Sequence, residues 1–198
     1  MERFMNLIGH NNGPTIEKGQ GWRAHCWKKA RRELLPQLPL EVIRMRVKRA
    51  KELGLEYKTY ASLRSASGRD VIAFLFSSNS LRIFKTNEAL PEDREARLKA
   101  VQKCGKLLLV SKPLQPEVTK ARILQDHGII LGDVKSAPRF TDGWAEVKSG
   151  VRAVLDPMKL PGAAVVMVGD TSWEREWTVA GKLGAYLPAE VFFGDRTN

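Results

Sequence analysis

Cysteine is scarce in this chain. Two occur in 198 residues, Cys26 and Cys104, and they share no C-x-x-C spacing. That excludes a disulfide framework and fits a reducing cytoplasm. Histidine is scarce as well. His10, His25 and His127 have no ligand spacing with one another or with the cysteines, so no zinc signature exists, and each is expected as a surface or packing residue. Long apolar runs are missing. The longest, Val71–Phe76 and Ala163–Val168, are six residues each, far below the roughly 18 needed for a membrane helix. The first residues, MERFMNLIGHNNGP, hold no sustained apolar stretch, so no secretory signal is expected. Neither G-x-G-x-x-G nor a P-loop is present, which removes the two commonest glycine-rich phosphate cradles.

Acid is in short supply relative to base. The chain has 33 Lys+Arg against 22 Asp+Glu, a net charge of +11. The imbalance is local: residues 1–70 hold 15 basic and 7 acidic side chains, a balance of +8. A basic region of this kind suits nucleic acid or another polyanion, such as an acidic protein partner. Hydrophobic residues make up 43% of the chain, which excludes wholesale disorder and allows a real core.

The pattern predicts three segments. Residues 1–20, with Asn11-Asn12-Gly13-Pro14, read as a tail. Residues 21–68 read as a basic helical region. Trp22, Cys26, Ala30 and Leu34 recur at i+4 and predict a helix to about Leu35 with that stripe buried. Trp22 and Trp27 could instead stack bases among basic residues, but core packing is the favoured expectation. A second helix is expected over about 40–53, with Ile43, Val47 and Ala50 buried and Gly54 closing it. A third covers about 57–65. Ala50, Gly54, Tyr60 and Leu63 fall near the spacing of a helix-turn-helix, which makes either that unit or a plain helical hairpin. The candidate anion-binding residues are Lys28, Lys29, Arg31, Arg32, Arg44, Lys48 and Lys51.

Residues 69–198 read as an α/β domain. Apolar strands are expected at Val71–Phe76, Leu107–Val110, Ile129–Leu131 and Ala163–Val168, with short end pieces at Ala185–Leu187 and Val191–Phe193. Helices fall between them, at about 92–103, from Pro116 to Gly128, along Trp144, Val147, Val151, Val154 and Leu155, and at about 172–183 with Trp173, Trp177 and Ala180 on one face. Strands that are apolar throughout and alternate with helices predict a parallel, Rossmann-like sheet with helices on both faces.

Ligands of such sheets bind at the carboxyl ends of the strands. Those ends place Ser77, Asn79, Ser111, Lys112 and Asp170 as cleft candidates. The order of motifs over residues 70–194 resembles the haloacid dehalogenase superfamily. LLLVSKP is similar to its second element through Ser111, and VVMVGDTSWE to its acidic element through Gly169, Asp170 and Glu174. VAGKLGAYLP is similar to the segment that follows, and Lys135 and Lys148 are both candidates for the family's lysine. The resemblance implies a magnesium-dependent hydrolase or phosphatase, with Asp170 and Ser111 as catalytic residues and Asp170 and Glu174 as metal ligands.

One motif departs from that pattern. In AFLFSSNSL the family's paired aspartates are replaced by Ser77 and Asn79, or in the other register by Phe76 and Ser78. The nucleophile and most oxygen ligands of a magnesium ion are thereby lost. The alternative reading of the acidic element is structural: Thr171-x-x-Glu174 has the form of a capping box, and Asp170 could cap the same helix. Glu146-x-Lys148 with Asp133 has the form of a nuclease motif, but it lies in the most regular helical stretch. The opening LIGHNNGP, the basic block and FLFSSN together resemble small alphaproteobacterial proteins, which implies a bacterial, cytoplasmic setting. Three functions remain open: a non-catalytic binder of nucleic acid or an acidic partner, an enzyme acting on a small phosphorylated molecule, and a protein–protein scaffold.

Overall fold

A computed structural model describes residues 22, 25–27, 29, 30 and 38–194. Contacts divide the chain between Ile43 and Arg44, and the two units are taken separately. In the first, Trp22, His25–Trp27, Lys29 and Ala30 are helical and exposed. The expected burial of Trp22, Cys26 and Ala30 is therefore corrected: Trp22 and Trp27 are 71% and 76% exposed, and Trp22 stacks on the His25 ring at 5.7 Å. An i+4 apolar stripe is a helix signal whether or not a partner covers it. The expected tail over 1–20 lies outside the described residues.

Helix α1 (Leu40–Glu52) runs across that division, and α2 (Tyr57–Ser67) follows it. The rest alternates: β1 (Ala73–Ser77), α3 (Glu92–Ala100), β2 (Gly105–Val110), α4 (Pro116–His127), β3 (Val134–Ser136), α5 (Trp144–Leu155), β4 (Val165–Gly169), α6 (Ser172–Ala180), β5 (Ala185–Pro188) and α7 (Ala189–Phe193). The five strands are all parallel, in the order β3-β2-β1-β4-β5. This is the α/β, Rossmann-like class that the strand pattern predicts.

Period-2 alternation splits the core into two layers. Phe74 and Phe76 of β1, Leu108 and Val110 of β2, and Val166 and Val168 of β4 face one side. There they meet Ala50, Tyr60, Leu63, Leu98, Ile123 and Phe192 from five helices, and Leu53 from the turn between α1 and α2. Ala73, Leu75, Leu107, Leu109, Val165 and Met167 face the other, against α5 and α6 through Val151, Val154, Trp177 and Ala180. Both faces of the central strands are covered, which is why they carry no polar alternation.

Three expectations need correction. The third strand is not Ile129–Leu131 but Val134–Ser136. Ile129 and Leu131 are buried as loop residues, and a short apolar run alone does not distinguish the two. Trp144, counted into the buried stripe of α5, is 57% exposed at the first residue of that helix, and the buried stripe begins one turn later at Val147. The boundary expected at residue 68 is not where the chain divides: Ala50, Leu53, Tyr60 and Leu63 share a core layer with the strands, so the α1–α2 hairpin is part of the α/β unit.

A polar hub fixes that hairpin. Arg49 donates from Nε to Asp70 Oδ2 at 3.1 Å, from Nη1 to Glu52 at 3.0 Å and from Nη2 to the Val71 carbonyl at 2.8 Å. Tyr60 donates its hydroxyl to Asp70 Oδ1 at 2.9 Å. Among the described residues no helix is long and apolar enough to cross a membrane.

Candidate functional site

The strand order reverses between β1 and β4, and the crevice outside their carboxyl ends is where ligands of this fold class bind. Two loops meet there. The first, 77–83, is a tight turn that closes on itself. The Ser77 hydroxyl accepts from the Ser80 N–H at 3.0 Å, and the Ser80 hydroxyl donates to the Ser77 carbonyl at 2.8 Å. Ser77, Ser78 and Ser80 are all buried. Ser77 is thus no cleft residue, and the expectation is corrected: its hydroxyl is consumed in holding the turn.

The second loop runs from Gly169 into α6. Thr171 is its N-cap and accepts from the Glu174 N–H at 3.2 Å. Glu174 is completely buried. Its Oε2 accepts from the backbone N–H groups of Asp170 at 2.6 Å and Thr171 at 3.0 Å, and its Oε1 accepts from Asn79 Nδ2 at 2.9 Å. Gly169 makes room for this arrangement. A Cβ there would stand 2.8 Å from the Tyr186 ring and 2.9 Å from Glu174 Oε2.

The β2 loop joins through Ser78, whose hydroxyl accepts from the Ser111 N–H at 3.1 Å. Ser111 is half-buried, while Lys112 and Asp170 are exposed. The structure therefore links the loops carrying Asn79, Ser111 and Asp170, with the Asp170 side chain exposed at their rim. Tyr186 borders it, donating to the Thr171 carbonyl at 3.2 Å. Burial, then the neighbouring Glu174 carboxylate, push its hydroxyl up to about 12.

A magnesium ion does not fit these residues. Both oxygens of Glu174 are already occupied by N–H donors, and the side chain facing it is an amide that presents hydrogens rather than an oxygen lone pair. Only Asp170 remains, and hard divalent cations take six or more oxygen ligands. Among the described residues no three His, Cys, Asp or Glu side chains form a group that could hold a metal. The metal-site expectation for Asp170 and Glu174 is corrected accordingly, and the capping-box alternative is the observed geometry. Asp170 does not cap; Thr171 does.

The other candidates fall elsewhere. Lys135 on β3 pairs with Asp133 at 3.6 Å. Lys148 is exposed on α5, and Glu146 turns back to accept from the Gly143 N–H at 2.7 Å, capping that helix. No nuclease motif assembles from them. His127 bonds Glu95 at 2.6 Å through Nδ1, with Nε2 accepting from the Leu90 N–H at 3.4 Å, a packing role as expected. Lys29 is exposed, while Lys28, Arg31 and Arg32 lie outside what is described.

Arg44, Lys48 and Lys51 are all exposed and lie within about a 60° arc of α1 at 3.6 residues per turn. Arg46 and Arg49 of the same helix are turned inward. Sequence reasoning missed the Arg49–Asp70–Tyr60 hub, because its members are 10 to 21 residues apart without a motif. It also missed the exposed Phe140, whose ring stands edge-on to Trp173 at 5.5 Å.

No family model matches the chain, and neither does any curated protein. Among solved structures, the chain is similar to an uncharacterised protein from Corynebacterium glutamicum ATCC 13032 Kitasato. The identity is 15% and the TM-score 0.41, over 62% of this chain and 94% of that one. A likeness of that degree carries no argument about family or activity.

Proposed function

We propose that this protein is a non-catalytic binder of nucleic acid, in which α1 supplies the phosphate contacts and the α/β domain is a catalytically silent relative of the haloacid dehalogenases. The observation that carries the reading is the arrangement of Arg44, Lys48 and Lys51. Three cations share one arc of a single exposed helix face. Residues 40–69 expose Arg44, Lys48, Lys51, Lys58 and Arg69 against two exposed acids, Glu41 and Glu56. Repulsion within such a stripe is relieved by a polyanion. Arg49 and Arg64 are excluded from it, since Asp70 engages both.

The silent-enzyme half of the reading is supported by the crevice. Its acidic element is present, but Glu174 is sealed by three N–H donors, and Ser77, at the end of β1, has a buried, internally bonded hydroxyl.

The test is fluorescence anisotropy of the full chain with labelled nucleic acid across a salt series. Affinity should fall steeply with salt. The Arg44→Ala/Lys48→Ala/Lys51→Ala variant should lower the slope of log K against log salt by about 3, near 0.9 for each duplex phosphate that is no longer neutralised. Salt-independent binding, no binding at about 50 mM salt, or an unchanged slope in the variant would overturn the reading. Capture of an acidic protein in place of nucleic acid would do so too. Turnover of a phosphate ester that Asp170→Asn abolishes would overturn the silent-enzyme half.

A further inference from the structure

The α1–α2 hairpin carries more than a basic stripe. We infer that it is a helix-turn-helix that docks on duplex DNA, with α1 on the phosphates and the exposed face of α2 in the major groove. This rests on the nucleic-acid reading above and names the kind of nucleic acid and the surface that reads it.

The local geometry is the first support. Four residues, 53–56, separate α1 from α2, the turn length of this motif. Gly54 lies at φ 66°, in the left-handed region where a side chain is strained. Leu55 donates its N–H to the Ala50 carbonyl at 2.8 Å, which tightens the turn. Ala50, Tyr60 and Leu63 are buried. The four positions that the spacing singles out therefore do what the motif asks of them: close approach, turn, and two anchors of the second helix.

The second support is what each helix leaves exposed. On α2, Lys58, Ser62 and Ser65 are exposed. They lie within about a 60° arc, on the side of the helix opposite Tyr60 and Leu63. This face holds one cation and two hydroxyls and no carboxylate. Hydroxyls donate to and accept from base edges, and a lysine reaches guanine acceptors. The α1 face presents three cations, Arg44, Lys48 and Lys51, with Glu41 at its amino-terminal edge. Such a division, point charges on the first helix and short hydrogen-bonding groups on the second, matches a first helix crossing the backbone and a second lying in the groove.

The third support is rigidity. Groove reading needs side chains fixed in register. Asp70 ties Arg49 of α1 and Tyr60 of α2 together at 3.1 and 2.9 Å. Arg49 also reaches the Val71 and Lys103 carbonyls at 2.8 and 3.3 Å, anchoring the hairpin to the amino ends of β1 and β2. That is the end of the sheet opposite the crevice, so the two surfaces are separate.

The test selects the full chain against a pool of randomised duplex DNA. It is run on the wild type, on Lys58→Ala/Ser62→Ala/Ser65→Ala, and on the α1 triple variant, with circular dichroism confirming that both variants fold. The wild type should enrich a common short sequence. The α2 variant should bind that sequence at least tenfold more weakly while binding the unselected pool within about threefold of wild type, since base-edge bonds discriminate between sequences and phosphate bonds do not. The α1 variant should weaken both and lower the salt slope. Three outcomes overturn the inference: no enriched sequence, unchanged preference in the α2 variant, or tighter binding to single strands than to duplex. If salt-dependent, α1-dependent binding persists in those cases, the nucleic-acid reading stands without it. If no nucleic acid binds, both fall.

Discussion

Asn79 donates from Nδ2 to Glu174 Oε1 at 2.9 Å, and this bond joins the loops after β1 and β4 at the point where the strand order reverses. Together with two backbone N–H groups it satisfies both oxygens of a fully buried carboxylate. Burial of a carboxylate is tolerated only when such partners are present.

Replacing the amide by a carboxylate should invert that logic. In Asn79→Asp, two acids face each other in a buried site. Urea denaturation without divalent ions should show a loss of about 2 to 4 kcal/mol, the range for an uncompensated buried charge. Added magnesium or calcium should restore part of it. The wild type should show no shift with either ion, and a wild-type midpoint that rises with magnesium would refute the account of the site.

Gly169 is expected to be intolerant of any side chain. Its Cβ position falls within 3.0 Å of both the Tyr186 ring and Glu174, and one of these belongs to the buried clasp. Gly169→Ala should lower stability by about 1 to 3 kcal/mol through overpacking. Ser172→Ala, at the exposed first position of α6, serves as the control and should change stability by less than about 0.5 kcal/mol.

Tyr186 gives a pH signature. Its hydroxyl is pushed up to about 12, first by burial and then by Glu174, against about 10 in the unfolded chain. Between those values the unfolded state has lost a proton that the folded state keeps, so stability falls as pH rises through that window. Below about pH 9 the contribution is fully present. Denaturation curves of wild type and Tyr186→Phe should run parallel from neutral pH to about 9 and converge above 10. Parallel curves through the whole alkaline range would contradict the assignment.

The hub at Arg49 should be the most sensitive charged position in the hairpin. Arg49→Ala removes bonds to Asp70, Glu52 and two carbonyls at once, and should cost about 2 to 4 kcal/mol. Arg49→Lys should recover little, because an ammonium cannot span the planar fork of acceptors. Hydrogen exchange in α1 and α2 should accelerate in both variants. Lys48→Ala, exposed on the same helix, should leave exchange unchanged.

The α/β class was readable because β1, β2 and β4 are buried on both faces, so each carries an unbroken apolar run, and these runs alternate with helical periods along the chain. Helix α5 was readable from its period, and the Thr171–Glu174 capping box from four residues. β3 was not, since only Val134 of its three residues is buried. Its strand state comes from pairing with Leu108, Leu109 and Val110 rather than from its own composition.

Sequence alone determined the layered α/β architecture, the concentration of positive charge toward the N-terminus and the absence of paired aspartates at the end of β1, all of them properties of local pattern or of residue identity. Tertiary structure decided the rest. It turned Glu174 from a candidate metal ligand into a sealed internal acceptor, because the donor that completes it, Asn79, is 95 residues away. It sorted the arginines of one helix into structural and exposed sets, because Asp70 and the strand ends capture Arg49 and leave Arg44 outside that hub. Long-range partners carry no local signature, and in this protein they are what separates a cation site from a hydrogen-bonded clasp.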